Sequence, residues 1–235
     1  MPLREIPRKN HYSRGVLRTT LFAIAMSSPP PVRPAAPRER FCVLGVDPSS
    51  AGATGYGVVE FNGATPRMLR YGALKMRTRL EFGARLREIH ELIVTLVEEF
   101  SPDAVAVESV FTALNVGTTL RLAEVRGVVL LAAAQASIPA HSYSPREVKA
   151  SIAGYGAATK QQMQQMVRAA LGLSEYPEPE DAADALAIAL CHAHAARAQA
   201  RMEAALSIPA AAARRAAPRA IAPAIRNRPR VARIS

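Results

Sequence analysis

Cysteine is nearly absent from this 235-residue chain, which has only Cys42 and Cys191. Two thiols are too few for a disulfide framework, so the composition fits a reducing, cytoplasmic setting. Long apolar runs are also missing. No stretch approaches the roughly 20 apolar residues of a membrane helix, so no membrane partner is expected. The run Leu21–Met26 is too short for the core of a signal peptide. Gly52, Gly55 and Gly57 are spaced too irregularly for a dinucleotide or P-loop phosphate cradle. No internal repeat is present.

Acidic residues are missing from one end of the chain. Lys and Arg outnumber Asp and Glu by 30 to 19, for a net charge of +11. Residues 1–40 carry +6 of this and residues 207–235 carry +7, which leaves residues 41–206 at −2. The basic balance therefore describes the tails and supports a nucleic-acid partner only weakly. Residues 1–40 read as a disordered, Pro/Arg-rich basic head, and 207–235 as a disordered Ala/Arg/Pro-rich tail. The middle, 41–206, is long enough for one domain.

Within that middle, the apolar run ending at Asp47 predicts a buried strand, and Pro48 keeps its last residue extended. A second strand runs from Thr54 to Phe61. Asn62-Gly63 predicts a hairpin, with a return strand over Met68–Lys75. Thr78 and Glu81 suggest a capping box for a helix whose apolar stripe is Leu86, Ile89, Ile93, Leu96 and Phe100. A strand ending at Glu108 follows, then a long helix over about 115–136 and a short strand at 139–143. Ser144-Pro145-Arg146-Glu147 and Thr159-Lys160-Gln161-Gln162 each read as helix starts, and a last helix begins near Asp181. The order βββαβα β followed by helices predicts an α/β fold with a five-stranded mixed sheet flanked by helices.

Four acids stand out against this background. Asp181 and Asp184 share one face of an alanine-rich helix. Carboxylates on such an apolar surface are normally paired or metal-bound. Asp47 and Glu108 each close an apolar strand, and pairing of the first and fourth strands at the sheet centre would make them neighbours. Like charges 4 Å apart repel by about 4 kcal/mol at an effective dielectric near 20. A cluster of this kind therefore either takes up protons or binds divalent cations. Hard oxygen donors favour Mg²⁺, or Mn²⁺, over zinc. Two ions about 3.5–4 Å apart would support in-line attack at phosphorus. Asp47 would bridge them, Glu108 would hold one ion and orient the water, and Asp181 and Asp184 would hold the other. Taken singly, Asp47 and Glu108 are ordinary strand-end acids and Asp181 an ordinary N-cap. The joint pattern carries the reading.

The same residues resemble a known family. Gly45-Val46-Asp47-Pro48 with Thr54-Gly55-Tyr56-Gly57-Val58, Val107-Glu108-Ser109-Val110-Phe111 with Asn115, and Arg126-Gly127-Val128 occur in order. Pro145-Arg146-Glu147-Val148-Lys149, Gly154–Lys160 and Asp181-Ala182-Ala183-Asp184-Ala185-Leu186-Ala187 follow. Over about residues 41–195 the set resembles the RuvC-type crossover-junction endodeoxyribonucleases, the bacterial Holliday-junction resolvases. The resemblance implies a ribonuclease-H-like fold, a homodimer and divalent-metal-dependent symmetric cutting of two opposing strands of four-way junction DNA. It also implies the junction-migration proteins RuvA and RuvB as partners. Its acidic residues fall on Asp47, Glu108, Asp181 and Asp184. Where the family commonly has Asp-Pro-Gly-Ser, this chain has Asp47-Pro48-Ser49-Ser50.

An acidic catalytic face needs nearby cations to hold DNA. Lys149 and Lys160 match the family's basic motifs, although by position alone each reads as a solvated surface charge. Lys160 also opens a helix, where backbone N–H groups favour phosphate. Arg121, Arg126 and Asn115 are further candidates, the arginines having Glu124 as a simpler partner. Phe111 either stacks on an unpaired base or fills the core. His192 and His194 fall on different helix faces, which argues against a shared metal and for surface or interface roles. Met163, Met166 and Val167 read as a packing stripe. Two rival functions remain at this point: a non-catalytic junction-binding protein, and an actin-like or sugar-kinase phosphotransferase, for which 41–206 is short.

Overall fold

The computed structural model of the chain describes residues 40–50, 52–75, 79–109 and 115–206. Five strands form one mixed sheet in the order β3-β2-β1-β4-β5. They are β1 (Arg40–Asp47), β2 (Ala53–Asn62), β3 (Thr65–Lys75), β4 (Ala104–Glu108) and β5 (Ala140–Tyr143). The helices are α1 (Phe82–Phe100), α2 (Val116–Gln135), α3 (Pro145–Ala153), α4 (Lys160–Leu171) and α5 (Glu180–Leu206). The expected α/β architecture is therefore present, element for element, within the described residues. The basic head and tail lie outside those residues except for Arg40.

β1 runs through the centre of the sheet, antiparallel to β2 and parallel to β4. Its apolar run is continuous because both faces are covered. Val43 packs with Val59 and Ala106 against α3, α4 and α5. Leu44 and Val46 pack with Val105 and Val107 on the opposite face, against Ile89, Ile93 and Leu96 of α1 and Val125 and Val129 of α2. The α1 stripe is buried as its spacing predicts.

Two local expectations shift. The β2–β3 hairpin turns on Gly63-Ala64, not Asn62-Gly63, because Asn62 already pairs with Thr65. Gly63 takes a positive φ of 54° and Ala64 does not, so the turn needs glycine only at its first central residue. The return strand consequently starts at Thr65, ahead of Met68. The Thr78–Glu81 box also does not set the start of α1. Glu81 is itself the N-cap, with no side-chain cap bond, and Thr78 lies outside the described residues. Tertiary packing sets that start instead: Phe82 packs against the α1–α2 core, under Arg85 at 5.3 Å and Arg121 at 5.8 Å.

The other two helix starts form as the sequence predicts. In α3, Ser144 Oγ accepts from Glu147 N at 3.2 Å and Glu147 Oε2 accepts from Ser144 N at 2.7 Å. In α4, Thr159 and Gln162 make the same reciprocal pair.

α5 is the longest helix and lies directly on β1 and β2. Its contact residues are small: Ala182, Ala183, Ala185 and Ala189 are all buried. The strands answer with glycine. A Cβ on Gly45 would sit 2.1 Å from the Ala185 carbonyl oxygen, and one on Gly55 would sit 1.9 Å from that of Asp181. Neither position can carry a side chain while α5 stays where it is.

Candidate active site

Parallel pairing of β1 and β4 in the register Val46↔Val107 brings the two strand tips together. Asp47 and Glu108, the next residues along, share a side-chain hydrogen bond. On its other side Asp47 is in register with Gly55, the residue pressed against the Asp181 backbone. Asp181 thus enters above β2 in the first turn of α5, and Asp184 follows three residues later on the same helix. The charges of Glu108, Asp184 and Asp181 all act on Asp47. The four acids expected to assemble do share one electrostatic neighbourhood.

Their proton affinities follow from that crowding. Burial, the Glu108 hydrogen bond and the neighbouring carboxylates push the Asp47 carboxyl up to about 9. At neutral pH Asp47 therefore keeps its proton and can donate it to Glu108. Burial also raises Glu108; Asp184 adds to that, while the bond to Asp47 and the charge of Lys149 oppose it. Burial raises Asp184 against the pull of Lys160.

Half-buried hard-oxygen donors that cannot all ionise together suit a hard divalent cation. Asp47, Glu108, Asp181 and Asp184 are the residues that could hold it. Among the described residues, however, no three His, Cys, Asp or Glu side chains form a finished ligand set. Asp47 and Glu108 are engaged with each other, and Lys160 Nζ lies 3.6 Å from Asp184 Oδ2. The donor chemistry fits a hard divalent cation.

Glu108 and Asp184 also line a cavity of about 210 Å³ between α3, α4 and α5. Lys149 and Lys160 share that wall with Val148, Met163 and Ile188. Both lysines singled out from the sequence therefore share a cavity with two of the acids. Lys160 is not simply a solvated charge, because its Nζ is 2.7 Å from Glu180 Oε2. Glu180 escaped the sequence reading, although its four-residue spacing from Asp184 marks it as a neighbour on the same face.

The remaining candidates divide. Asn115 caps α2, its Oδ1 accepting from Gly117 N at 2.8 Å. Asn115 and Arg121 line a second surface depression together with Ser50. Arg126 donates to Ser142 Oγ at 2.5 Å, a tie to β5 in place of the Glu124 pairing. Phe111 lies outside the described residues. Ser49, standing at the family's glycine position, does not need positive φ. Its Oγ accepts from Gly52 N at 2.8 Å, so the hydroxyl itself closes the loop.

Two other expectations need correction. His192 is buried, 4% exposed, hydrogen-bonded to Tyr143 Oη at 2.7 Å and stacked on His141, so it is not a surface histidine, whereas His194 is exposed. A single exposed face could not be inferred for a helix with apolar residues all round. Met163 and Val167 are buried as expected, but Met166 is 42% exposed and leaves the stripe.

Comparison with known proteins adds one family model, two relatives and two solved structures. The family model for crossover junction endodeoxyribonuclease RuvC matches residues 43–192. The crossover junction endodeoxyribonuclease RuvC of Chloroflexus aurantiacus is 48% identical over 143 residues, which cover 61% of this chain and 87% of that protein. Its counterpart in Syntrophomonas wolfei is 44% identical over 144 residues, covering 61% and 83%. The solved structure of Thermus thermophilus RuvC superposes with a TM-score of 0.63 at 38% identity, covering 68% of this chain and 97% of that one. The same protein in complex with Holliday junction substrate gives a TM-score of 0.65 at 38% identity, covering 68% and 96%.

Proposed function

This chain belongs to the RuvC family of crossover junction endodeoxyribonucleases, and we propose that Asp47, Glu108, Asp181 and Asp184 are the residues with which it cuts. The protein is a metal-dependent endonuclease that resolves four-way Holliday junctions, an activity of DNA recombination and repair. The observation that carries the residue assignment is the meeting of two strand-end acids, Asp47 and Glu108, within the field of Asp181 and Asp184 on α5.

Divalent cations bound there supply Lewis acidity, activating water and stabilising the leaving oxygen. Mg²⁺, with Mn²⁺ as an alternative and two ions per site, is the proposed complement. In this reading Asp47, once ionised, would help hold the metal. Glu108 would also hold it and orient the attacking water, and Asp181 and Asp184 would complete the donor set. Lys149 and Lys160 neutralise phosphates at the edge of the acidic pocket, with Asn115, Arg121, Arg126 and Phe111 as further DNA contacts. The support for these roles is the motif match together with the shared cavity of both lysines and two acids.

Symmetric cutting of two opposing strands needs two copies of this site, which favours a homodimer. A patch on α2 supports that reading. Val116, Leu120 and Leu131 are 74%, 60% and 53% exposed. They fall at helical spacing with Ala123, Gly127 and Ala134, all exposed, giving an apolar stripe with small residues for close approach. RuvA and RuvB as partners, a cytoplasmic location, and 41–206 as the nuclease domain between basic tails complete the proposal. No helix among the described residues is long and apolar enough to cross a membrane.

The test is a gel. Wild type with Mg²⁺ should nick a labelled four-way junction at symmetric positions and leave linear duplex intact. Asp47→Asn should bind the junction and leave it uncut. Cutting at the wild-type rate by a folded Asp47→Asn protein would remove the site assignment. Binding without cutting by wild type would leave only a junction-binding role.

A further inference from the structure

Lys160 occupies an unusual place for a phosphate-binding residue. It opens α4, but its ammonium points to two acids of α5, lying 2.7 Å from Glu180 Oε2 and 3.6 Å from Asp184 Oδ2. Lys149 shares the cavity and reaches Glu108 only through the field of its charge. One lysine is therefore tied to the acid cluster while the other is not. The Lys160 side chain is 53% exposed on a flexible four-carbon stem, so it has somewhere else to go. Glu180 is solvent-facing and outside the carboxylates that act on Asp47. Its leading partner is the lysine, with a further side-chain hydrogen bond to Gln164.

A divalent cation at Asp184 would have to sit beside that ammonium. Two cations sharing one carboxylate repel each other, and the smaller charge on the mobile stem is the one that yields. We infer that Lys160, anchored by Glu180, is a placeholder for the divalent cation at Asp184, and that metal uptake drives the lysine off the acids toward the DNA backbone. The inference rests on the metal-nuclease reading of the pocket.

A consequence follows by linkage. Metal uptake frees a cation for phosphate, so occupied sites bind DNA more tightly. Reciprocally, DNA that draws Lys160 away from Asp184 tightens metal binding by the same factor. The cutting centre then loads preferentially on substrate, and free protein carries less reactive metal.

The test is calorimetric titration of Mn²⁺ into the full-length, DNA-free protein. Lys160→Met, which keeps the stem, should bind Mn²⁺ about three- to tenfold more tightly than wild type, the range expected for losing a partly exposed competing ion pair. Lys149→Met removes a cation from the same cavity without freeing Asp184 and should change affinity by less than about twofold. Independently, saturating Mn²⁺ should raise acetylation of Lys160 in wild type, read by peptide mass spectrometry, with Lys75 as an exposed reference. Unchanged or weaker Mn²⁺ binding by Lys160→Met, equal tightening by both variants, or Lys160 labelling indifferent to Mn²⁺ would each overturn the placeholder. Should wild type and both variants bind no Mn²⁺ at all, the metal reading itself falls and takes this inference with it.

Discussion

Replacing Asp47 with asparagine should make the protein more stable while disabling it. The Asp47 carboxyl is displaced from 3.8 to about 9, chiefly by burial and then by Glu108. A group whose folded pKa lies above its unfolded value binds more protons in the fold. Stability then declines as pH rises between the two values, here from about 4 to about 9, and the penalty is absent below about 4. One pKa unit is about 1.4 kcal/mol, so the penalty at pH 8 has a ceiling of about 6 kcal/mol. Asp47 is only half-buried, and solvent screening brings the expected figure to about 2–3 kcal/mol. Asparagine keeps the shape and can donate to Glu108 as the protonated acid does. In EDTA at pH 8, Asp47→Asn should therefore melt about 4–12 °C above wild type for a domain of this size. At pH 4.5 the two melts should nearly coincide. Adding Mg²⁺ at pH 8 should raise wild type more than the variant. An Asp47→Asn protein no more stable than wild type at pH 8, or a gap that ignores pH, would refute the crowding argument.

Further outcomes can be checked directly. Asp47→Asn should lower junction cleavage by more than about a hundredfold, the scale expected when a metal ligand rather than its support is lost, with junction affinity retained in a gel shift. Lys149→Ala and Lys160→Ala should each weaken junction binding and reduce the slope of log affinity against log salt by about 0.9; a slope equal to wild type for both would count against phosphate contacts. Leu120→Glu with Leu131→Glu should convert a dimer to a monomer in sedimentation, and an unaltered dimer would move the interface off α2. Gly55→Ala should destabilise the fold by about 1–3 kcal/mol through overpacking and weaken Mn²⁺ binding, read by urea unfolding and calorimetry.

Most of the sheet was legible because its signals are local. An apolar run closed by Asp47-Pro48 and another closed by Glu108 state both the strand and its end. Ser144–Glu147 and Thr159–Gln162 state a helix start in four residues. The hairpin was legible only to within one residue, because Asn62-Gly63 and Gly63-Ala64 both permit a tight turn and the strand register decides between them. The start of α1 was not legible, since Phe82 is placed by packing and no cap fixes it. At the site, the four acids were readable from type and spacing, but their partners were not. The Lys160–Glu180 pair joins residues 20 apart from two helices, and only tertiary contact reveals it. His192 read as a surface or interface residue because it and His194 fall on different helix faces; its burial depends on β5 lying alongside, where Tyr143 meets it.

Gly55 touches both halves of the pocket. It pairs with Asp47 across the sheet and takes the weight of α5 at the carbonyl of Asp181. The gap between the strand-borne acids and the helix-borne acids is thus gauged by main chain resting on main chain, with no rotamer in between to flex. Substitutions in the surrounding core can loosen the protein without retuning this spacing, whereas a single methyl at residue 55 changes it at once.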